Sequence, residues 1–115
     1  MFSYLDHLEC TVCGAYYGHT LPIRTCPSCN KVLFARYDLS RLRKEVDRKA
    51  VEARNSGMGR FSEMLPVLEA DNVITLGEGD TPLLKAERLA SSLKMNHLYI
   101  KEEGLNPTGS FKARG

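Results

Sequence analysis

No stretch of this sequence approaches the ~20 consecutive apolar residues that a membrane-spanning helix needs, so no membrane association is expected. The start, Met1-Phe2-Ser3-Tyr4-Leu5-Asp6-His7, lacks both a basic opening and an apolar core, which argues against a secretory leader and makes the cytoplasm the expected compartment. An excess of charge of one sign is also missing. The 16 basic and 14 acidic residues leave a net charge of +2, too little to argue for a nucleic-acid partner. Internal repeats and low-complexity segments are absent. What remains is an ordinary globular balance, 43% hydrophobic and 26% charged, in 115 residues, about the size of one small domain.

Cysteine is confined to positions 10–29, and there it is dense. Cys10-x-x-Cys13 and Cys26-x-x-Cys29 are separated by twelve residues. In a reducing compartment such clustering points to a metal rather than to disulfides. Each pair lets two sulfurs converge from one tight turn, and two turns complete a tetrahedral site. Gly14 and Asn30, the residues after each pair, are types that readily adopt positive φ and let the chain fold back beneath the sulfurs. A site closed by Cys10, Cys13, Cys26 and Cys29 is structural rather than catalytic, and zinc is the expected ion. Iron shares this geometry, and disulfides or a redox dithiol are the other readings. His7 and His19 read as ordinary loop histidines. Zinc ribbons also bind nucleic acid or protein, but between Cys10 and Cys29 the only basic residues are Arg24 and His19.

Beyond the cysteines, Leu39, Leu42, Val46, Ala50 and Ala53 recur at spacings of three and four and predict a helix. Asp38 or Ser40 would cap it, Glu45 and Lys49 would pair one turn apart, and Asn55-Ser56-Gly57 would end it. Its other face carries Arg41, Arg43, Lys44, Arg48, Lys49 and Arg54, and reads as solvated. From Phe61 the rhythm changes. Residues 71–76 predict a short strand, 77–82 a turn, 85–95 a helix ended by Asn96, and 97–102 a strand with Leu98 and Ile100 on one face. A loop over 104–109 then leads to Ser110, an N-cap for a helix beginning at Phe111. Strand, helix, strand, loop, helix is the rhythm of an α/β fold with a parallel sheet.

That rhythm places Lys112 after a strand and at a helix entrance, where open α/β sheets bind ligands. The helix N-terminus attracts anions and depresses an amine's pKa, which suits a lysine that forms a Schiff base. Phe111 would pack beside a flat ring, and Ser110 would cap the helix or donate to an anion. A lysine near a helix start is more often simply exposed. Lys101, at a strand end, would reach a substrate phosphate or lie in solvent. Thr81-Pro82 reads as a structural turn, and His97 as structural or exposed.

Leu76-Gly77-Glu78-Gly79-Asp80-Thr81-Pro82-Leu83-Leu84, with the run from Leu98 to Gly115 that contains Asn106-Pro107-Thr108-Gly109-Ser110-Phe111-Lys112, resembles the threonine synthases. These are pyridoxal-phosphate enzymes of the tryptophan-synthase β-subunit fold. Gly59 to Pro66 resembles the segment that approaches that domain, and the cysteine ribbon resembles an extension found on many members. The resemblance implies that Lys112 binds pyridoxal phosphate covalently and then serves as the proton-transfer base, with Phe111 and Ser110 beside the cofactor. It implies conversion of O-phosphohomoserine and water to threonine and phosphate, a small amino-acid phosphate as substrate, and a homo-oligomeric full-length form. Ala113 departs from the Asp of many threonine synthases and keeps cysteate synthase as an alternative. Threonine dehydratases share Ser-Phe-Lys-x-Arg-Gly but usually lack the ribbon.

The expected architecture is therefore α/β. A zinc ribbon (1–37) and a linker helix (38–60) precede the first part of a tryptophan-synthase-β-like parallel-sheet fold (61–115). The glycine-rich phosphate cradle, and the Ser or Thr that faces the pyridine nitrogen in that family, come after the lysine. The expectation is an incomplete sheet and a 115-residue chain inactive by itself. A reading of another class is a stand-alone zinc-ribbon binding module.

Overall fold

The protein is described by a computed structural model covering residues 2–114. Met1, and the Gly115 that closes the terminal motif, lie outside the described residues. The chain forms two compact units, residues up to 54 with 59–73, and residues 55–58 with those from 74 on.

The first unit is built on an antiparallel sheet of β1 (Leu5–Cys10), β2 (Tyr16–Gly18) and β3 (Leu33–Tyr37), in the order β2-β1-β3. Leu8 faces Tyr17 on one side and Ala35 on the other, and Cys10 faces Leu33. The residues leading into β1 are tied down at several points. Ser3 Oγ donates to the Leu65 carbonyl at 2.6 Å, Tyr4 N–H to the Glu63 carbonyl at 3.0 Å, and Asp38 N–H to the Tyr4 carbonyl at 2.9 Å. Glu63, 7% exposed, is satisfied by a two-point ion pair with Arg54, at 2.5 and 2.8 Å. That pairing offsets the desolvation of a buried carboxylate.

The single linker helix expected after residue 38 is two helices, α1 (Leu39–Glu45) and α2 (Arg48–Glu52). Asp38 caps α1, accepting from Arg41 N–H at 2.9 Å. Val46 (φ −105°, ψ 118°) and Asp47 (φ −86°, ψ 131°) are extended and break it. Neither helix buries a residue, so no packing holds a β-branched residue and an Asp in helical geometry against their local preferences. The break separates Glu45 from Lys49. Glu45 pairs instead with Arg41 at 2.6 Å, and Arg48 with Glu52 at 2.7 Å.

In the second unit, β4 (Leu83–Lys85) and β5 (Tyr99–Lys101) flank α3 (Glu87–Ser92). The strands pair antiparallel, Leu84 opposite Ile100, where a parallel sheet was expected. The physical reason is the short crossover. Six-residue α3 ends in a left-handed turn at Lys94 (φ 55°), where Met95 N–H reaches the Ala90 carbonyl at 2.9 Å. The chain is thereby sent back against β4. Lys94, rather than Asn96, takes the left-handed position, and the helix is shorter than 85–95. The strand expected over 71–76 is absent. Ala70–Asn72 form a 3₁₀ turn, and Ile74 and Leu76 are 88% and 78% exposed, with no strand beside them among the described residues. Another 3₁₀ turn, Phe111–Arg114, stands where a helix start was expected. Among the described residues, this unit buries Glu78, Thr81, Ala90 and Asn106, so three of its four buried residues are polar. Hydrogen bonding rather than apolar packing therefore shapes the loops that carry the terminal motif. No helix among the described residues is long and apolar enough to cross a membrane.

Candidate functional sites: a four-cysteine cluster and a lysine loop

The two cysteine turns are near copies of each other. Cys10 N–H donates to the Ala15 carbonyl (2.9 Å) while Gly14 N–H donates to the Cys10 carbonyl (3.2 Å). In the same way Cys26 N–H donates to Lys31 (2.8 Å) and Asn30 N–H to Cys26 (2.7 Å). Gly14 (φ 69°) and Asn30 (φ 58°) occupy the left-handed positions their residue types suit. Thr11, whose amide and hydroxyl both donate to the Val32 carbonyl, ties the first turn to the second.

These turns bring Cys10, Cys13, Cys26 and Cys29 together, with all four sulfurs within 4.8 Å of one another. Cys10 Sγ lies 3.4 Å from Cys29 Sγ, and Cys13 Sγ lies 3.6 Å from both Cys26 and Cys29. A disulfide needs about 2.05 Å, and all four cysteines are free. Four sulfurs held about 2.3 Å from a tetrahedral ion stand roughly 3.8 Å apart, close to what is observed. The electrostatics fit as well. The neighbouring Cys10 sulfur, aided by burial, pushes the Cys29 thiol up to about 12. The Tyr17 hydroxyl draws Cys26 down to about 6. Four thiols this close cannot all ionise unless a cation takes up the charge. The cluster can hold a metal ion. His7 and His19 stand apart from it, at Asp6 Oδ2 (2.7 Å) and the Asp6 carbonyl (2.7 Å).

The second site is the loop from Asn106 to Arg114. Ser110, Phe111 and Lys112 share one turn, and Lys112 N–H donates to Ser110 Oγ at 3.3 Å, so Ser110 caps it. Phe111 is 64% exposed. Lys112 is exposed, and its amine has no hydrogen-bond or ion-pair partner among the described residues. An uncommitted amine on an anchored turn is what covalent capture of an aldehyde requires. The anchor lies on either side of it. Arg114 forms a two-point ion pair with Glu103, Nε to Oε2 at 2.8 Å and Nη2 to Oε1 at 2.9 Å. Thr81 Oγ1 donates to the same carboxylate at 2.5 Å. Asn106, 5% exposed, donates to the Glu103 carbonyl (2.8 Å) and carboxylate (3.0 Å) and accepts from Gly79 N–H (3.0 Å). Arg114, more than any other neighbour, holds the Glu103 carboxyl down at about 2.

Thr81 is thus more than a turn residue, and the Lys101 amine donates to its carbonyl. Glu103, Arg114, Asn106 and Tyr17 stood out on no spacing rule. The one sequence signal for Glu103, Asn106 and Arg114 is that they lie, with Thr81, in the two segments that carry the resemblance; Tyr17 has none.

Residues 74–115 match the pyridoxal-phosphate dependent enzyme family. The chain is 39% identical to the threonine synthase of Methanosarcina acetivorans over 95% of its own length and 26% of the relative's. It is 39% identical to that of Methanocaldococcus jannaschii over 93% and 26%, and 51% identical to that of Halalkalibacterium halodurans over 48% and 15%. The chain spans about a quarter of the length of the first two. No solved structure matches it.

Proposed function

We propose that this chain, whose residues 74–115 match the pyridoxal-phosphate dependent enzyme family, is part of a threonine synthase in which Lys112 holds the cofactor. The observation that carries this reading is the likeness to threonine synthases along nearly the whole chain. The reaction is conversion of O-phosphohomoserine and water to threonine and phosphate. Pyridoxal phosphate, when bound, supplies the electron sink for that chemistry.

This chain's own residues have separate tasks. Lys112 Nζ would hold the cofactor covalently and, as a free amine, would take and return a proton of the substrate. Ser110 caps the turn that presents it, and Phe111 offers an exposed ring face to the cofactor. The Glu103–Arg114 pair, with Thr81 and Asn106, fixes the backbone on both sides of Lys112. A misplacement of about 1 Å in such a site costs on the order of 10²-fold in rate. Zinc held by Cys10, Cys13, Cys26 and Cys29 completes the reading as a structural ion. The division into ribbon (1–37), linker (38–60) and the start of a tryptophan-synthase-β-like domain (61–115) belongs to the same proposal, as does inactivity of these 115 residues alone.

The test is phosphate release from O-phosphohomoserine by the protein that carries this chain, with pyridoxal phosphate present. Lys112→Ala is expected to lower the rate by about 10²–10⁴-fold, the usual worth of a positioned acid–base group. Turnover of O-phosphoserine with sulfite, and none of O-phosphohomoserine, reassigns the substrate. Undiminished turnover in Lys112→Ala overturns the reading.

A further inference from the structure

The Tyr17 hydroxyl lies 3.2 Å from Cys26 Sγ and 3.0 Å from Ser28 Oγ. Tyr17 stands on β2, opposite Leu8 of β1, so it approaches the sulfur cluster from the sheet and from neither cysteine turn. Cys26 is the most enclosed of the four cysteines, at 1% exposure. A metal-bound thiolate has no proton to give and only accepts. The direction of the contact follows: Tyr17 O–H donates to Cys26 Sγ, and the Tyr17 oxygen is left to accept from Ser28 O–H. Two hydroxyls thus form a directed chain that ends on one sulfur.

We propose that Tyr17, oriented by Ser28, is a metal-tuning residue whose hydroxyl holds Cys26 Sγ in the four-sulfur site and slows loss of a bound divalent ion. The proposal rests on the reading of the cluster as a metal site. A donated hydrogen bond draws charge from the thiolate and occupies the lone pair at which a proton or a competing electrophile would begin to displace the metal. It also fixes the sulfur's position from outside the turn that carries it. Groups that orient metal ligands in this way are typically worth about 10–100-fold in affinity.

The experiment compares the wild-type chain with Tyr17→Phe, Ser28→Ala and Tyr16→Phe, each loaded with Co(II), whose sulfur-to-metal absorption reports four-sulfur ligation. Affinity is read by competition with a chelator. Tyr17→Phe is expected to bind about 10–100-fold more weakly with the absorption band retained. Ser28→Ala should weaken binding less. Tyr16→Phe, whose ring meets His7 edge-on at 4.8 Å, should leave affinity unchanged. Equal affinities for wild type and Tyr17→Phe overturn the proposal, and so does equal weakening by Tyr17→Phe and Tyr16→Phe. If Tyr17→Phe binds no cobalt at all, Ser28→Ala decides, and wild-type affinity in that variant overturns the proposal. Absence of the band from the wild-type chain overturns the metal reading itself, and the proposal with it.

Discussion

Arg114 and Glu103 meet in a two-point ion pair, at 2.8 and 2.9 Å, two residues from the amine of Lys112. The pair joins the two segments that carry the family likeness, because Thr81 of the first donates to the same carboxylate. Exchanging the partners tests whether geometry or mere charge is at work. Glu103→Gln and Arg114→Gln should each speed hydrogen exchange at the Ala113 amide, which donates within the turn to the Ser110 carbonyl at 3.2 Å. The double exchange Glu103→Arg with Arg114→Glu should restore part of the protection. Protection unchanged in both single variants would leave the turn held by its backbone alone.

Acid should loosen the same loop. The folded-state pKa of Glu103 is depressed from 4.5 to about 2, first by Arg114 and then by Thr81. A group depressed in the folded state contributes stability that is present above its unfolded pKa and is lost as pH falls through the folded one. The contribution should therefore be whole at neutral pH, decline below about 4.5 and vanish through about 2. An NMR titration of the Glu103 carboxyl, run beside amide protection of 103–114, measures this. A midpoint near 4.5 contradicts the geometry, and Glu103→Gln should abolish this component.

Gly79 is a sensitive position in that unit. Its φ is +95°, and an added Cβ would stand 3.1 Å from Met58 N and 3.3 Å from Arg114 Nη1. Gly79→Ala should cost about 1–3 kcal/mol, the range for a side chain forced into such backbone, and should disturb Arg114. Denaturant unfolding with a probe in residues 74–114 gives the figure. A neutral result would show that the loop yields freely.

Removing the metal from the loaded chain should unfold the segment from β1 to β3. Its only buried hydrophobic residues among those described are Cys10 and Cys26, and structural zinc is worth roughly 10–16 kcal/mol in comparable short segments. Circular dichroism and amide dispersion, before and after chelator, read the change. Asn30→Gly should fold normally, since glycine accepts the φ of 58°. Asn30→Val should lose about 1–2 kcal/mol, because a Cβ-bearing residue without a local hydrogen-bonding group resists that conformation.

The sequence by itself determined the features that depend on a few neighbouring residues. Two Cys-x-x-Cys turns, with Gly14 and Asn30 behind them, close within a few residues each, with positive φ at both positions. Ser110 caps its turn for the same local reason. What spacing did not reveal depends on partners distant in sequence. Val46 and Asp47 leave the helix where no residue of α1 or α2 is buried. Residues 71–76 form no strand, and no strand lies beside them among the described residues. Tyr17 meets Cys26 across 9 positions, Thr81 meets Glu103 across 22, and Arg114 meets Thr81 across 33. Periodicity and capping rules act over one or two turns of chain, whereas these contacts arise from the path of the backbone between the elements. Only the tertiary structure decided them.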